Sequence, residues 1–207
     1  MGYGEAFLKS RAYNPSGSPH YNPLRALDMW VPWKAFAKPD KIDESFEKRA
    51  VDPVTFVPKG FKLSDKSNRF PYGVVRDVAM RRTRERSLQE IYGASVVPGD
   101  GIGMVFLDGD KIWSTNGIEK KPHLLEAFLR LETLTEFSPS MTGLRAIGYG
   151  AGEFSGRYFL PDHDGDPDHL IEAYSVGNQH VSITERPYPG RDVPIVNIQG
   201  SPPRPRG

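Results

Sequence analysis

The chain has 207 residues, long enough for one substantial domain, and its 38% hydrophobic and 26% charged residues are ordinary for a globular protein. It contains no cysteine, which excludes disulfides and thiolate metal sites, and no apolar run suited to a membrane span or a secretory signal, so we expect a cytoplasmic protein without a membrane partner. The net charge of +1 conceals a basic stretch from Lys59 to Arg86 and an acidic one from Asp100 to Glu136, which indicates a charged partner.

Composition divides the chain into three predicted parts. Residues 1–26 are rich in Gly, Ser, Asn, Pro and Tyr without periodicity, which predicts a flexible N-terminal arm. Residues 27–199 are predicted to form one domain. Residues 200–207, GSPPRPRG, predict a Pro/Arg-rich, polyproline-like tail.

The first half of the domain has few strong secondary-structure signals. An aromatic strand is predicted over Asp28–Phe36, and Pro32 favours an edge or bulged position for it. The polar, proline-containing residues from Lys38 to Asp65 predict a loop or an insertion. A helix is predicted over Arg82–Gly93, with Gly93 as its terminating residue.

The second half has clearer patterns. Ile102–Leu107 predicts a buried strand, Leu144–Tyr149 predicts another, and Ile171–Ile183 predicts a hairpin around Gly177. Pro122 suits the first position of a helix. The apolar face of that helix would be formed by Leu124, Leu125, Phe128 and Leu131.

Short segments along the chain match one protein family in the family's order. They are Trp30–Lys34, Phe70–Tyr72, Gly101–Phe106, Thr135–Leu144 and the pair Ile171–Tyr174 with Ser182–Thr184. The most specific is TEFSPSMTGL at Thr135–Leu144, which is similar to a family turn of the form TEISPSGxGL. Together they resemble the primase-polymerase domains of phages and plasmids in the archaeo-eukaryotic primase superfamily. The resemblance implies an α/β fold of the α+β type, with an RRM-like antiparallel sheet and flanking helices.

The catalytic chemistry of that family requires clustered carboxylates that hold two metal ions. Where the family has Asp-x-Asp, this chain has the segment Trp113–Gly117, and the neutral Asn116 cannot balance a divalent charge. We therefore expect a degenerate copy, catalytically weak or inactive and without a cofactor. The alternative is an active metal-dependent nucleotidyltransferase with Mg²⁺ or Mn²⁺ on Asp108, Asp110 and Glu172. Against it, LDGD is also typical of a tight turn.

Phosphate binding is implied by the resemblance at four positions. Ser138 and Ser140 match phosphate-contacting residues of the family's turn, and Arg145 replaces a histidine that touches the triphosphate. His180 lies near the position of a family arginine. Because arginine binds phosphate bidentately, nucleotide binding could outlast the loss of catalysis.

A basic cluster supplies the candidate nucleic-acid contact. Its members are Arg81, Arg82, Arg84 and Arg86. They would contact a phosphate backbone or form a solvated helix face.

We expect a phage- or mobile-element-encoded domain that binds nucleic acid or nucleotide. The alternatives are an active small primase-polymerase and a protein-binding module that inhibits or assists a host nucleic-acid machine. The alternating acids of Asp162–Asp168 predict either a calcium site or a solvated acidic loop.

Overall fold

The structure is a computed structural model with an α+β fold. It describes residues 15–37, 46–58, 60–85, 91–99, 102–114, 116–150, 155–160, 165–175 and 179–198. Within these ranges it contains three helices and two antiparallel sheets, one of which curls into a half-barrel. The expected α+β class with antiparallel strand pairing is therefore confirmed, but the strands form two sheets where a single sheet was expected.

Strands outnumber helices among the described residues. The strands are β1 (Trp30–Ala37), β2 (Phe46–Ala50), β3 (Tyr92–Val96), β4 (Met104–Gly109), β5 (Thr135–Phe137), β6 (Leu144–Tyr149), β7 (Ser155–Phe159), β8 (Leu170–Tyr174) and β9 (Val181–Ile183). The helices are α1 (Asn22–Arg25), α2 (Tyr72–Glu85) and α3 (Pro122–Arg130). No described helix is long and apolar enough to cross a membrane.

The chain divides into two compact units. Among the described residues, the first unit contains 15, 22–97 and 180–184, and the second contains 16–21, 98–179 and 185–198. The first unit holds a four-stranded sheet in the order β2-β1-β3-β9, and the second holds a five-stranded sheet in the order β5-β6-β4-β8-β7. That residues 27–199 form one domain remains a prediction.

In the first unit, α2 packs on β1 and β3. The Trp30 and Tyr72 rings are in contact, with centroids 4.8 Å apart. The strand predicted around Pro32 is present as β1, but it is interior, with β2 on one side and β3 on the other. The carbonyl of Pro32 accepts a hydrogen bond from the Val51 amide at 2.9 Å, just beyond the end of β2. The missing N–H of proline therefore falls where that ladder ends, which is why an interior strand tolerates it.

One prediction in this unit is confirmed only in part, and another is wrong. Within the loop or insertion predicted over Lys38–Asp65, residues 51–58 and 60–65 form no strand or helix, but Phe46–Ala50 form β2, whose charged residues are those of an edge strand. The helix predicted over Arg82–Gly93 is displaced: α2 begins at Tyr72, and Gly93 lies inside β3. A Cβ at Gly93 would lie 2.5 Å from the Trp33 indole, so this glycine permits a close packing contact and does not end a helix.

In the second unit, α3 covers one face of the five-stranded sheet. Pro122 occupies the first turn of α3 as predicted, and the predicted strand Leu144–Tyr149 is present as β6. β4 confirms the strand predicted over Ile102–Leu107, two residues further along. The core under α3 is formed by Ile112, Leu124, Phe128, Leu144, Ala146 and Ile171, with Leu125 and Leu131 packed at its border.

The hairpin predicted over Ile171–Ile183 is wrong. β8 pairs with β7 and β4 in the second unit, whereas β9 pairs with β3 in the first. The alternating pattern identified both strands, but a pattern of period two does not specify which strand becomes the partner. Gly177 lies outside the described residues.

The described part of the predicted N-terminal arm is packed. Residues 19–21 form a 3-10 turn whose Tyr21 side chain is fully buried in the second unit, and Leu24 of α1 is fully buried in the first. The Ser18 hydroxyl donates to Asp192 at 2.6 Å. Aromatic and aliphatic burial thus orders a segment whose composition alone predicts flexibility. Residues 1–14 and the predicted tail at 200–207 lie outside the described residues.

Candidate functional site

A row of five charged side chains crosses the second sheet from edge to edge. Strand by strand, the charged row is Glu136 on β5, Arg145 on β6, Asp108 on β4, Glu172 on β8 and Arg157 on β7. Each residue lies directly opposite the next in the strand register. Because directly opposed residues of antiparallel strands project to the same side of a sheet, all five side chains share one face.

That face is the one opposite α3. Leu107, Leu144, Ala146 and Ile171 alternate along their strands with members of the charged row, and they all belong to or border the core beneath α3. The five-stranded sheet therefore has an apolar face that carries a helix and another face crossed by charged groups.

The end of the charged row at β5 and β6 is closed to solvent. The Arg145 side chain is 2% exposed, and its Nη2 donates to Asp108 Oδ2 at 2.7 Å. Glu136 is fully buried and accepts hydrogen bonds from the Tyr21 hydroxyl at 3.0 Å and from the Glu185 amide at 2.9 Å. These contacts give the buried charges of Arg145 and Glu136 partners of the kind that buried charges require.

The pKa values at this end reflect the same arrangement. Burial disfavours the charged form of Arg145, but the charges of Asp108 and Glu136 outweigh it and raise its pKa above the usual range. Burial, followed by the charge of Glu136, raises the pKa of the Tyr21 hydroxyl far above its ordinary value. The guanidinium therefore stays charged and the phenol stays a hydrogen-bond donor.

The opposite end of the row is open. Arg157 is 73% exposed and donates from Nε to Glu172 Oε1 at 2.9 Å. The Tyr174 hydroxyl donates to the other carboxylate oxygen of Glu172. Burial, then the hydrogen bond and charge of Glu172, raises the pKa of Tyr174. The row thus passes from a buried end at Glu136 to an exposed end at Arg157.

The three acids considered as a metal site are placed differently from one another. Asp108 lies in β4 opposite Glu172, so these two carboxylates are neighbours. Asp110 is exposed in the turn after β4, next to Lys111 with φ +56°. Among the described residues, no three His, Asp or Glu side chains form a group that could hold a metal ion.

The segment Leu107–Asp110 (LDGD) is partly strand and partly turn, so each of the two interpretations of it is partly right. Asp108 and Gly109 end β4, and the turn follows at Asp110. The glycine has a packing reason: a Cβ at Gly109 would lie 2.6 Å from the Phe128 ring. This contact brings α3 close to the sheet one residue from the ion pair of Asp108.

The turn implied to bind phosphate is internally hydrogen-bonded. The hydroxyls of Ser138 and Ser140 are 2.9 Å apart, and those of Ser140 and Thr142 are 2.8 Å apart. The Gly143 amide donates to Ser138 Oγ at 3.2 Å. Arg145 follows directly in β6 and is held by Asp108, so the guanidinium expected to bind phosphate is already ion-paired.

His180 is not part of that turn. It belongs to the first unit, where its Nδ1 lies 2.9 Å from Ser95 Oγ of β3. Ser138, Ser140 and Arg145 belong to the second unit. The four residues implied by the resemblance are therefore divided between two units.

Three members of the basic cluster lie on α2, and Arg86 lies outside the described residues. Arg81 and Arg84 are exposed, and neither forms an ion pair with another described residue. With Asp77 and Met80 they line an open surface pocket of about 400 Å³. The Arg82 guanidinium instead lies over the Phe56 ring, 4.0 Å from its centroid.

The described part of the acidic loop has structural roles. Asp166 caps the 3-10 turn Pro167–His169 by accepting from the Asp168 amide at 2.9 Å, and it contacts the His169 ring at 2.8 Å. Asp168 lies 3.8 Å from the Lys121 ammonium. Asp162 and Asp164 lie outside the described residues.

Sequence reasoning missed three members of the site. Glu136 and Arg157 complete the charged row, and Tyr174 binds Glu172. A signal existed for Tyr174, which follows Glu172 by two residues on the same strand and so shares its face. A lone acid in the short apolar segment around Glu136 was a weaker signal.

Comparison with known proteins gave no matching family model and no matching curated sequence.

Proposed function

We propose that the chain is a degenerate primase-polymerase-like domain, encoded by a phage or another mobile element, that binds nucleic acid or nucleotide without polymerising it. The observation that carries this proposal is the buried ion pair between Arg145 and Asp108. A carboxylate that coordinates catalytic metal ions must offer its negative charge to them. In this chain the negative charge of Asp108 is matched by the Arg145 guanidinium, whose Nη2 lies 2.7 Å from Asp108 Oδ2.

The arrangement of the second sheet supports the family assignment. An antiparallel sheet with a helix on one face and a charged row on the other is what an RRM-like primase-polymerase domain would present. Met141 adds a local argument. It has φ +61°, a conformation that favours glycine, and it occupies the glycine position of the family's SPSGxGL turn. The backbone thus keeps a shape for which the family's residue is better suited.

The binding part of the proposal rests on α2. Arg81 and Arg84 are exposed on one helix face, where permanently charged side chains can neutralise phosphates. Arginines in this setting bind without reading base sequence, because phosphate contacts carry no sequence information.

A second candidate function is a specific alternative. Asp108 and Glu172 are directly opposed, and Asp108 Oδ1 is buried without a hydrogen-bond partner among the described residues. If Arg145 moved aside, two adjacent carboxylates would face one position. That arrangement favours an active nucleotidyltransferase that takes Mg²⁺ or Mn²⁺.

Primer extension separates the two candidates. The purified chain is given a labelled primer–template, nucleoside triphosphates and Mg²⁺ or Mn²⁺, and DNA and nucleotide binding are measured in parallel. We expect binding without extension. Extension that disappears in both Asp108→Asn and Glu172→Gln would establish the enzyme instead. A chain that neither extends primers nor binds nucleic acid or nucleotide at low salt would be a protein-binding module.

The α2 arginines provide an internal check on binding. Replacing Arg81 and Arg84 together with alanine should lower the log–log salt slope by about 1.4 on single strands and about 1.8 on duplex, since each phosphate contact contributes about 0.7 or about 0.9. The matched control is Arg130→Ala, an exposed arginine on α3 of the second unit.

A further inference from the structure

In the first unit, six side chains form a continuous strip in which cations and aromatic rings contact one another. The cation–aromatic strip consists of Arg82, Phe56, Tyr92, Lys34, Phe36 and Arg49. Arg82 belongs to the basic cluster identified in the sequence, and Tyr92 is one of the aromatic residues near that cluster in the chain. Lys34, Phe36, Arg49 and Phe56 lie further away in the chain and are brought next to them by the sheet and by the loop that carries Phe56.

One half of the strip joins α2 to β3. The guanidinium of Arg82 lies 4.0 Å from the Phe56 centroid, and Phe56 meets Tyr92 edge to face with centroids 5.7 Å apart. Phe56 has φ +59°, an unusual backbone conformation for a bulky residue, so the loop holds this ring against its own backbone preference. Tyr92 is buried and forms the base of the strip.

The other half crosses β1 and β2. Lys34 Nζ lies 5.4 Å from the Tyr92 centroid and 5.8 Å from the Phe36 centroid, and the Arg49 guanidinium lies 5.2 Å from Phe36. Lys34 is directly opposite Tyr92 on one side and Arg49 on the other. With strands about 4.8 Å apart, these three positions span roughly 10 Å across the sheet.

We propose that the cation–aromatic strip binds single-stranded nucleic acid, an inference that rests on the proposed function and assigns it a surface. The strip has three cations, Arg82, Lys34 and Arg49, spread over about the length of a few nucleotides, so they can contact successive phosphates of one strand. Phe36 and Phe56 are half-buried, and their rings can stack on unpaired bases. Cations held over rings are already ordered, so fewer rotamers are lost on binding.

An acidic protein segment is the competing partner, and the aromatic rings argue against it. Attraction to carboxylates would need only the cations, whereas rings between the cations suit ligands that alternate charge with flat apolar groups. Duplex nucleic acid keeps its bases stacked inside, so it could use the cations but not the rings.

Glu47 provides a sharp test because it competes with phosphate for the strip. Its carboxylate lies 2.7 Å from Arg49, with both side chains about half exposed (46% and 50%). Exposed pairs of this kind are weak and easily exchanged. Glu47→Gln should therefore tighten single-strand binding, and Arg49→Ala should weaken it and lower the log–log salt slope by about 0.7.

The experiment measures fluorescence anisotropy of a labelled single-stranded thymidine oligonucleotide over a range of salt concentrations with the full chain. Arg130→Ala is the matched control, since it is also an exposed arginine paired with one glutamate, Glu126 at 2.5 Å, but in the second unit. Phe36→Leu tests stacking and should weaken binding about tenfold. Its folding is checked by thermal melting, and the exposed Arg49 and Glu47 variants test the strip even if Phe36→Leu unfolds.

The outcomes separate this inference from the proposed function. Opposite shifts for Arg49→Ala and Glu47→Gln, with Arg130→Ala unchanged and duplex bound more weakly, support the strip. If the wild type binds nucleic acid and all strip variants bind it equally well, the strip is not the binding surface, and the proposed function is unaffected. Duplex bound as tightly as single strands, with Phe36→Leu neutral, overturns the single-strand assignment. If the wild type binds no nucleic acid or nucleotide, the proposed function fails as well, and an acidic protein partner takes its place.

Discussion

The Arg145 guanidinium is the most informative group to remove, because it is the charge that compensates the closed end of the charged row. Arg145→Met keeps the length and much of the volume of the side chain. It leaves Asp108, whose side chain is 13% exposed, and the fully buried Glu136 without the cation that they share. Removing one partner of a buried ion pair typically costs about 3–5 kcal/mol. A chain of ordinary stability, about 5–15 kcal/mol, would lose a large share of it.

Arg157→Met is the matched control for this substitution. Arg157 lies in the same row and is bonded to a carboxylate on the neighbouring strand, but it is 73% exposed where Arg145 is 2% exposed. Exposed pairs contribute about 0–1 kcal/mol. The two variants therefore compare the same chemical change at the two ends of one row, and burial is the main difference between them.

The free energy of unfolding is measured by urea denaturation, with hydrogen exchange of the β4 and β6 peptides to localise the loss to the second unit. Equal effects of Arg145→Met and Arg157→Met on the free energy of unfolding would refute the reasoning.

Three further predictions concern other positions. Gly109→Ala should destabilise the second unit by about 1–3 kcal/mol in chemical denaturation, because the new Cβ would lie 2.6 Å from the Phe128 ring. Gly73→Ala is the control: Gly73 lies on α2 with open space around it, so this substitution should stabilise the protein by about 0.4–1 kcal/mol. Met141→Gly should melt within a few degrees of wild type, and Met141→Val should melt lower, because a β-branched residue is strained at φ +61°; the reverse order would contradict the turn argument. Because the pKa of Tyr21 is raised in the folded state, stability is present below the ordinary tyrosine pKa of about 10 and is lost as the pH rises above it. Denaturation at several alkaline pH values should show that loss in wild type and a smaller one in Tyr21→Phe.

Some of the architecture follows from the sequence because it depends on neighbours a few residues apart. The proline at 122 and the apolar spacing after it predict α3 and the face that it buries. The run Leu144–Tyr149 predicts β6, and Ile102–Leu107 predicts β4 within two residues. These signals are local: helix and strand periodicities are set by which side chains within four residues share a face.

Other features depend on contacts between distant parts of the chain. Gly93 is consistent with the end of a helix until the Trp33 indole is placed against it, and β9 is consistent with a hairpin until β3 is known to be its partner. Tyr21 lies in a segment of disordered composition, yet its hydroxyl binds Glu136, 115 residues away. In each case tertiary packing overrides a weak local preference.

The candidate site shows the same division. From the amino-acid order one can infer which charged residues the chain possesses and that Asp108 and Glu172 lie in or beside strands. That Arg145 faces Asp108, and that a single row runs from Glu136 to Arg157, depends on how the strands pair. A shift of one residue in any strand pairing would move its charged side chain to the face covered by α3. The register between distant strands is set by the free energy of burying a whole face of the sheet. No single segment determines that free energy, because it arises only when all the strands are assembled.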